Sequence, residues 1–156
     1  MSDILEIDKS SRWYKGKFKP NHPEKYQGDL DNIVFRSSWE LEAFRFCDNN
    51  PNILKWSSEE IKIPYLLPTP DGNVKKLNYF PDLYMELVDR AGQHHRQIIE
   101  IKPKRQTKPS RSRNQRVKLQ ENLQYHKNMC KWQAAEEWCK HRGIRFRVLH
   151  EGDQFK

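Results

Sequence analysis

No run in this 156-residue chain is long and apolar enough to span a bilayer, so an integral membrane protein is excluded on the helical pattern. The opening Met1-Ser2-Asp3-Ile4-Leu5-Glu6 lacks a basic stretch followed by an apolar one, and no secretory signal is expected. Cysteine is scarce and odd in number. Cys47, Cys130 and Cys139 are widely spaced, which argues against a disulfide framework and suits reduced thiols of an intracellular protein. The six histidines form no spaced ligand pairs with them, so a zinc site is not expected. No internal repeat is visible. Acidic residues are missing altogether from residues 102–118, where Lys102, Lys104, Arg105, Lys108, Arg111, Arg113, Arg116 and Lys118 stand together.

What is present is charge and aromatic bulk. Apolar residues make up 35% of the chain and charged ones 32%, so the core must be small. Five Trp, six Tyr and seven Phe supply it. The length suits one domain with a real core. A net charge of +8 favours a polyanion partner, nucleic acid first.

Residues 11–35 read as irregular, with aromatics alternating with Lys15, Lys17 and Lys19, then Pro20, Pro23 and Gly28. This is an N-terminal arm, 1–34, that packs over the domain surface or touches DNA through phosphates and stacking. A single domain follows over 35–156. Ser37 with Glu40 three residues on fits a capping box, and Asn49-Asn50-Pro51 stops the helix. Strands are expected over 53–56, 62–67, 76–80, 83–88 and 96–102, with turns at Pro68-Thr69-Pro70-Asp71-Gly72 and Asp89-Arg90-Ala91-Gly92. A mobile basic loop spans 103–113. Residues 114–141 read as helical up to Gly143; the length leaves a break open. A last strand lies over 144–149. This order predicts an α/β (α+β) fold with a central mixed sheet flanked by helices.

Two short segments carry the chemistry. Pro81-Asp82 ends an aromatic stretch, and Glu100-Ile101-Lys102 ends the apolar Ile98-Ile99 strand. Alternate side chains of a strand share a face, so Glu100 and Lys102 point one way, Ile99 and Ile101 the other. Taken singly, Asp82 is a common turn residue, and Glu100 and Lys102 suit a solvated edge. Together they offer two acidic oxygen donors and one amine, a minimal site for a hard divalent metal and a phosphodiester. Glu40 falls inside the apolar arc of its helix among Trp39, Ala43, Phe44 and Cys47. A carboxylate there needs a donor, a cation or a metal. On this reading Asp82, Glu100 and the Ile101 backbone carbonyl bind Mg²⁺, with Glu40 joining through a water or holding a second metal. Lys102 orients the attacking water or stabilises charge on phosphorus, and Lys104, Arg105, Lys108, Arg111 and Arg113 track DNA.

The ordered set resembles the PD-(D/E)xK nuclease motif. Phe35-Arg36-Ser37-Ser38-Trp39-Glu40, Asn50-Pro51-Asn52-Ile53 and Ile63-Pro64-Tyr65 resemble the TnsA-like branch, transposon-end endonucleases. TnsA itself carries Gln where Glu100 stands. Tyr14-Lys15-Gly16-Lys17-Phe18, Pro23-Glu24-Lys25-Tyr26 and the SSWE and PDLY segments are similar to the head completion nucleases of tailed phages, a likeness covering most of residues 11–104. The resemblance implies a restriction-endonuclease-like fold and Mg²⁺-dependent DNA cleavage, Mn²⁺ substituting. It also implies DNA, capsid, portal or neck proteins as partners, and the host cytoplasm during assembly, with retention in the virion left open. No membrane and no small-molecule cofactor are expected. Many members of the wider superfamily add a Gln or Tyr from the next helix; Gln124 and Tyr125 are the candidates. Two other readings remain: a non-catalytic, DNA-binding head-completion or neck protein, and a transposase-type endonuclease subunit.

Overall fold

A computed structural model of the protein describes residues 15–150, apart from the side chains of Lys104 and Arg105. Residues 1–14 of the expected arm lie outside the described residues. The first pairing is small: β1 (Gly16–Lys17) runs antiparallel to β2 (Val34–Phe35). Between them the chain makes two single 3-10 turns, Pro23–Lys25 and Leu30–Asn32.

Helix α1 (Ser38–Asn49) starts as the capping pattern predicts. Ser37 is extended, and its hydroxyl accepts the Glu40 N–H at 3.1 Å. The far end is closed from outside the helix. Lys25 Nζ donates to the carbonyls of Cys47 (2.6 Å), Asp48 (2.9 Å) and Asn50 (2.9 Å). Those of Cys47 and Asp48 are carbonyls that a helix terminus leaves without partners, and the ammonium also meets the negative end of the dipole. The buried Asp48 carboxylate completes the clasp by accepting the backbone N–H groups of Asn21 and His22.

The central sheet has four strands in the order β3 (Ile53–Ser57), β6 (Leu83–Val88), β7 (His94–Lys102) and β8 (Arg145–His150). β3, β6 and β7 are antiparallel neighbours, whereas β8 runs parallel to β7. A parallel partner needs a crossover, and α2 (Gln115–Lys140) supplies it. The strands expected over 62–67 and 76–80 do not join this sheet. They form a separate hairpin, β4 (Ile63–Pro68) with β5 (Val74–Tyr79), that packs on α2. Pro64 and Pro68 have no N–H to give, which confines β4 to pairing on one side. Gly72 occupies the hairpin turn at φ +86°, where a side chain would strain the backbone.

Two apolar layers cover the sheet. On the α1 side, Trp56 is fully buried among Phe18, Tyr26 and Phe44, with ring centroids 5.9, 4.8 and 5.3 Å away. Leu83 and Ile99 extend this layer. On the other side Ile98 packs with Tyr65, Tyr79, Trp132, Ala135 and Cys139. Ile98 and Ile99 thus face opposite layers, as strand alternation requires.

Helix α2 is unbroken, 26 residues long. Its buried residues are Asn128, Trp132, Ala135 and Cys139, at spacings that trace one helical face. Two apolar residues of its first half are not core: Leu119 is 61% exposed and Leu123 45%. Leu123 only edges the β4–β5 hairpin, beside Leu67 and Pro68. The basic 103–113 segment is less free than its composition suggests. It holds a 3-10 turn, Lys104–Thr107, and is fastened to α2 where Asn122 Oδ1 accepts the Ser110 N–H at 2.9 Å and Asn128 donates to the Gln106 carbonyl at 3.5 Å.

Candidate active site

The register of β6 against β7 pairs Leu83 with Ile99, so the ladder ends there. Asp82 stands one residue beyond it. Its Oδ2 accepts the Ile101 N–H at 2.7 Å, replacing the acceptor that a longer β6 would have provided. Glu100 faces the α2 layer and is only 2% exposed. Its Oε2 accepts the Trp132 indole N–H at 3.5 Å. The buried Tyr79 phenol is its neighbour, and its pKa is pushed far up, first by burial and then by the Glu100 charge.

The Asp82 and Glu100 carboxyls meet. Burial raises Asp82 well above the usual carboxylate range; the Glu100 charge adds to this, then a hydrogen bond between the two, then the charge of Glu40. Two acids confined together in this way favour either a shared proton or a cation between them. Lys102 is half-buried on the same strand face as Glu100, opposite His150 in the parallel register.

Glu40 stays at the start of α1. Its Oε2 lies 3.4 Å from the Ser37 hydroxyl, and its carboxyl also accepts the Arg36 backbone N–H. Burial raises its pKa and the Arg36 N–H opposes that rise. It reaches Asp82 through charge, not contact. Among the described residues no three Asp, Glu, His or Cys side chains are grouped to hold a metal ion. Asp82 and Glu100 are a close pair, and Glu40, the acid expected to act through a water or on a second metal, lies in the helix cap. The reason is local: the capping hydroxyl of Ser37 accepts the Glu40 N–H and stands beside its Oε2.

The family described as TnsA-like endonuclease N terminal matches residues 50–151. A head completion nuclease of Enterobacteria phage T4 is 38% identical over 145 residues, covering 88% of this chain and 91% of the relative. The chain belongs to the TnsA-like endonuclease family. No solved structure matches it. The family match spans β3 through β8, and the mixed sheet with its flanking helices is the restriction-endonuclease-like fold expected of a TnsA-like domain.

The remaining candidates of this TnsA-like chain are spread out. Lys108, Arg111 and Arg113 are exposed on the segment that leaves β7 toward α2; the Lys104 and Arg105 side chains lie outside the described residues. Lys15, Lys17 and Lys19 are exposed around β1, whose neighbour Phe18 packs in the α1 layer, across the sheet from Glu100. Gln124 donates to Asn128 Oδ1 at 3.0 Å, and Tyr125 lines a hollow with Lys108.

Sequence reasoning missed four groups. Trp132 is a core residue whose N–H also holds Glu100. Arg36 pairs with Glu59, and this pair adds charge beside Glu40. Glu59 is the one non-glycine residue with positive φ among the described residues, at 56°. Lys131, on α2, has Glu100, Lys102, Lys127 and Asp82 as its charged neighbours. Only the spacing of Lys127 and Lys131, four apart on a helix, hinted at it.

Proposed function

We propose that this chain is a divalent-metal-dependent DNA endonuclease acting in tailed-phage head completion. One observation carries the reading: Asp82 and Glu100, 18 positions apart in sequence, meet as carboxyls at the end of β7 with Lys102 on the same face. Hard oxygen donors whose charges repel in a buried site fit Mg²⁺ or Mn²⁺. Magnesium keeps several waters, so two protein carboxylates suffice. Asp82 and Glu100 would hold the ion, with the Ile101 carbonyl, and with Glu40 through a water. When bound it neutralises phosphate charge and lowers the pKa of a water.

The chain's own groups do the rest. The Ile101 N–H and the Trp132 indole each fix one carboxyl, so neither must reorganise as substrate enters. Lys102 donates to a phosphate oxygen and stabilises the charge that grows there during in-line attack. The exposed Lys108, Arg111 and Arg113 hold the backbone of the duplex. DNA as substrate and head completion as setting are supported by the name of the T4 relative, which aligns over nine-tenths of both chains. Capsid, portal or neck proteins, and the host cytoplasm during assembly, follow from the same setting. No helix among the described residues is long and apolar enough to cross a membrane.

The test is nicking of supercoiled plasmid. Wild type should nick in Mg²⁺ and stop in EDTA, and Asp82→Ala should be inactive in both. Nicking that persists in Asp82→Ala would remove the acid pair from the reaction. DNA binding without nicking under any divalent ion would favour the non-catalytic neck protein.

A further inference from the structure

Lys131 is a half-buried ammonium that closes no salt bridge among the described residues, although two acids stand near it. Its Nζ lies 5.3 Å from the centroid of the Tyr79 ring, the same ring whose hydroxyl neighbours Glu100. Lys102 and Lys127 are the other cations around it. Lys131 thus stands among two carboxyls and two further ammonium groups, with positive charge in excess. Packing alone explains the stem of Lys131 against the ring. It does not explain a cluster of like charges that repel one another.

The α2 surface leading away from Lys131 is hollow, with Leu67, Pro68, Pro70 and Leu123 forming apolar wall and Gln and Lys side chains the rest. Lys127, Gln124 and Gln120 line a cavity of about 280 Å³ against the β4–β5 turn. Gln120 and Gln124 line an adjoining one of about 400 Å³ with Lys108. The two hollows share Gln120 and Gln124 and run along α2 from Lys108 to Lys127, one helical turn short of Lys131. We infer that the Lys127–Lys131 face of α2 is the second wall of the DNA channel, and that Lys131 holds the phosphate next to the one that is cut. A polyanion relieves the mutual repulsion of the three ammoniums, and each phosphate contact releases a counterion. The Tyr79 ring limits the swing of Lys131, so the contact costs little side-chain entropy. Substrate then lies along α2 rather than over the arm bearing Lys15, Lys17 and Lys19.

This inference rests on the nuclease reading for its word "cut", but its binding half can be measured separately. The full chain and its Lys131→Ala, Lys131→Met, Lys131→Arg and Lys127→Ala variants are compared by fluorescence anisotropy on a labelled duplex in EDTA, across a salt series. Plasmid nicking in Mg²⁺ follows. Lys55→Ala, on the exposed surface of β3, is the control. Lys131→Ala should weaken metal-free binding about 5- to 10-fold and lower the log–log salt slope by about one. Nicking should fall further than binding. Lys131→Met keeps the stem over Tyr79 and should behave like Lys131→Ala, while Lys131→Arg should keep most of the binding. A Lys131→Met protein that binds and nicks like wild type would reduce Lys131 to packing and overturn the proposal. If wild type binds but never nicks, the hydrolytic reading fails, and the anisotropy series alone decides the α2 wall.

Discussion

Asp82 Oδ2 accepts the backbone N–H of Ile101 at 2.7 Å, so one acid of the site is moored to the strand that carries the other. The mooring is what brings Asp82 against Glu100, because the β6–β7 ladder has ended at Leu83–Ile99. It also makes the pair a source of instability that a substitution can relieve.

Asp82→Asn keeps the amide oxygen as acceptor for Ile101 and removes the charge. In wild type, burial and then Glu100 hold Asp82 protonated at pH values where the unfolded chain has already released that proton, near pH 4. The folded state therefore binds more protons over the window from about pH 4 up to the raised pKa. Stability from this group is fully present below that window and is lost as pH rises through it. Metal-free Asp82→Asn should melt higher than wild type at pH 7.5, by about 2–4 °C per kcal/mol relieved, with the two converging toward pH 4. Equal melting points by differential scanning calorimetry at pH 7.5 would count against the strained pair.

Divalent metal should act on the same strain. Magnesium chloride should raise the melting temperature of wild type in a concentration-dependent way and leave Asp82→Asn unmoved. An equal rise in both would point to a bulk salt effect.

Lys102→Ala and the basic segment should separate chemistry from binding. The single change should lower nicking by about 100-fold or more with duplex affinity nearly kept, as loss of one positioned donor does. Neutralising Lys104, Arg105, Lys108 and Arg111 together should weaken binding and flatten its salt dependence. If the fourfold variant abolished nicking with binding unchanged, these roles would have to be exchanged.

Lys25→Met should destabilise the fold by about 1–3 kcal/mol, since the Cys47 and Asp48 carbonyls of α1 lose their donor. Urea melts would show the midpoint shift. Activity per folded molecule should be unchanged, because the clasp sits at the end of α1 away from Glu40.

The thiols should react in two classes. All three are free; Cys47 and Cys139 are buried and Cys130 half-buried. Burial pushes the Cys47 thiol up to about 12. Ellman's reagent at pH 8 should label Cys130 quickly and the other two only on unfolding.

Much of the site was legible in the chain because its signals are local. Ser37 with Glu40 announces a helix start whether or not anything packs on it. The apolar run ending in Glu100-Ile101-Lys102 announces a strand with two charges on one face. The hairpin and the α2 surface were not legible in that way. Residues 62–67 and 76–80 carry strand patterns, yet nothing in a pattern says which sheet a strand will join. Leu119 and Leu123 share the spacing of core residues and stay exposed. Lys131 reads as one more solvated lysine until Tyr79 and Glu100 arrive beneath it from strands far away in sequence.

The order of residues by itself determined the elements, the faces of β7 and the pairing of a Pro-Asp turn with a Glu-x-Lys strand, because backbone sterics and side-chain period act over a few residues. Only the tertiary structure decided that Asp82 meets Glu100 while Glu40 stays in its cap, and that a lysine from α2 completes the cation set. Those outcomes depend on where the β6–β7 ladder stops and on which donors reach each carboxyl first, and both are settled by packing across the whole chain.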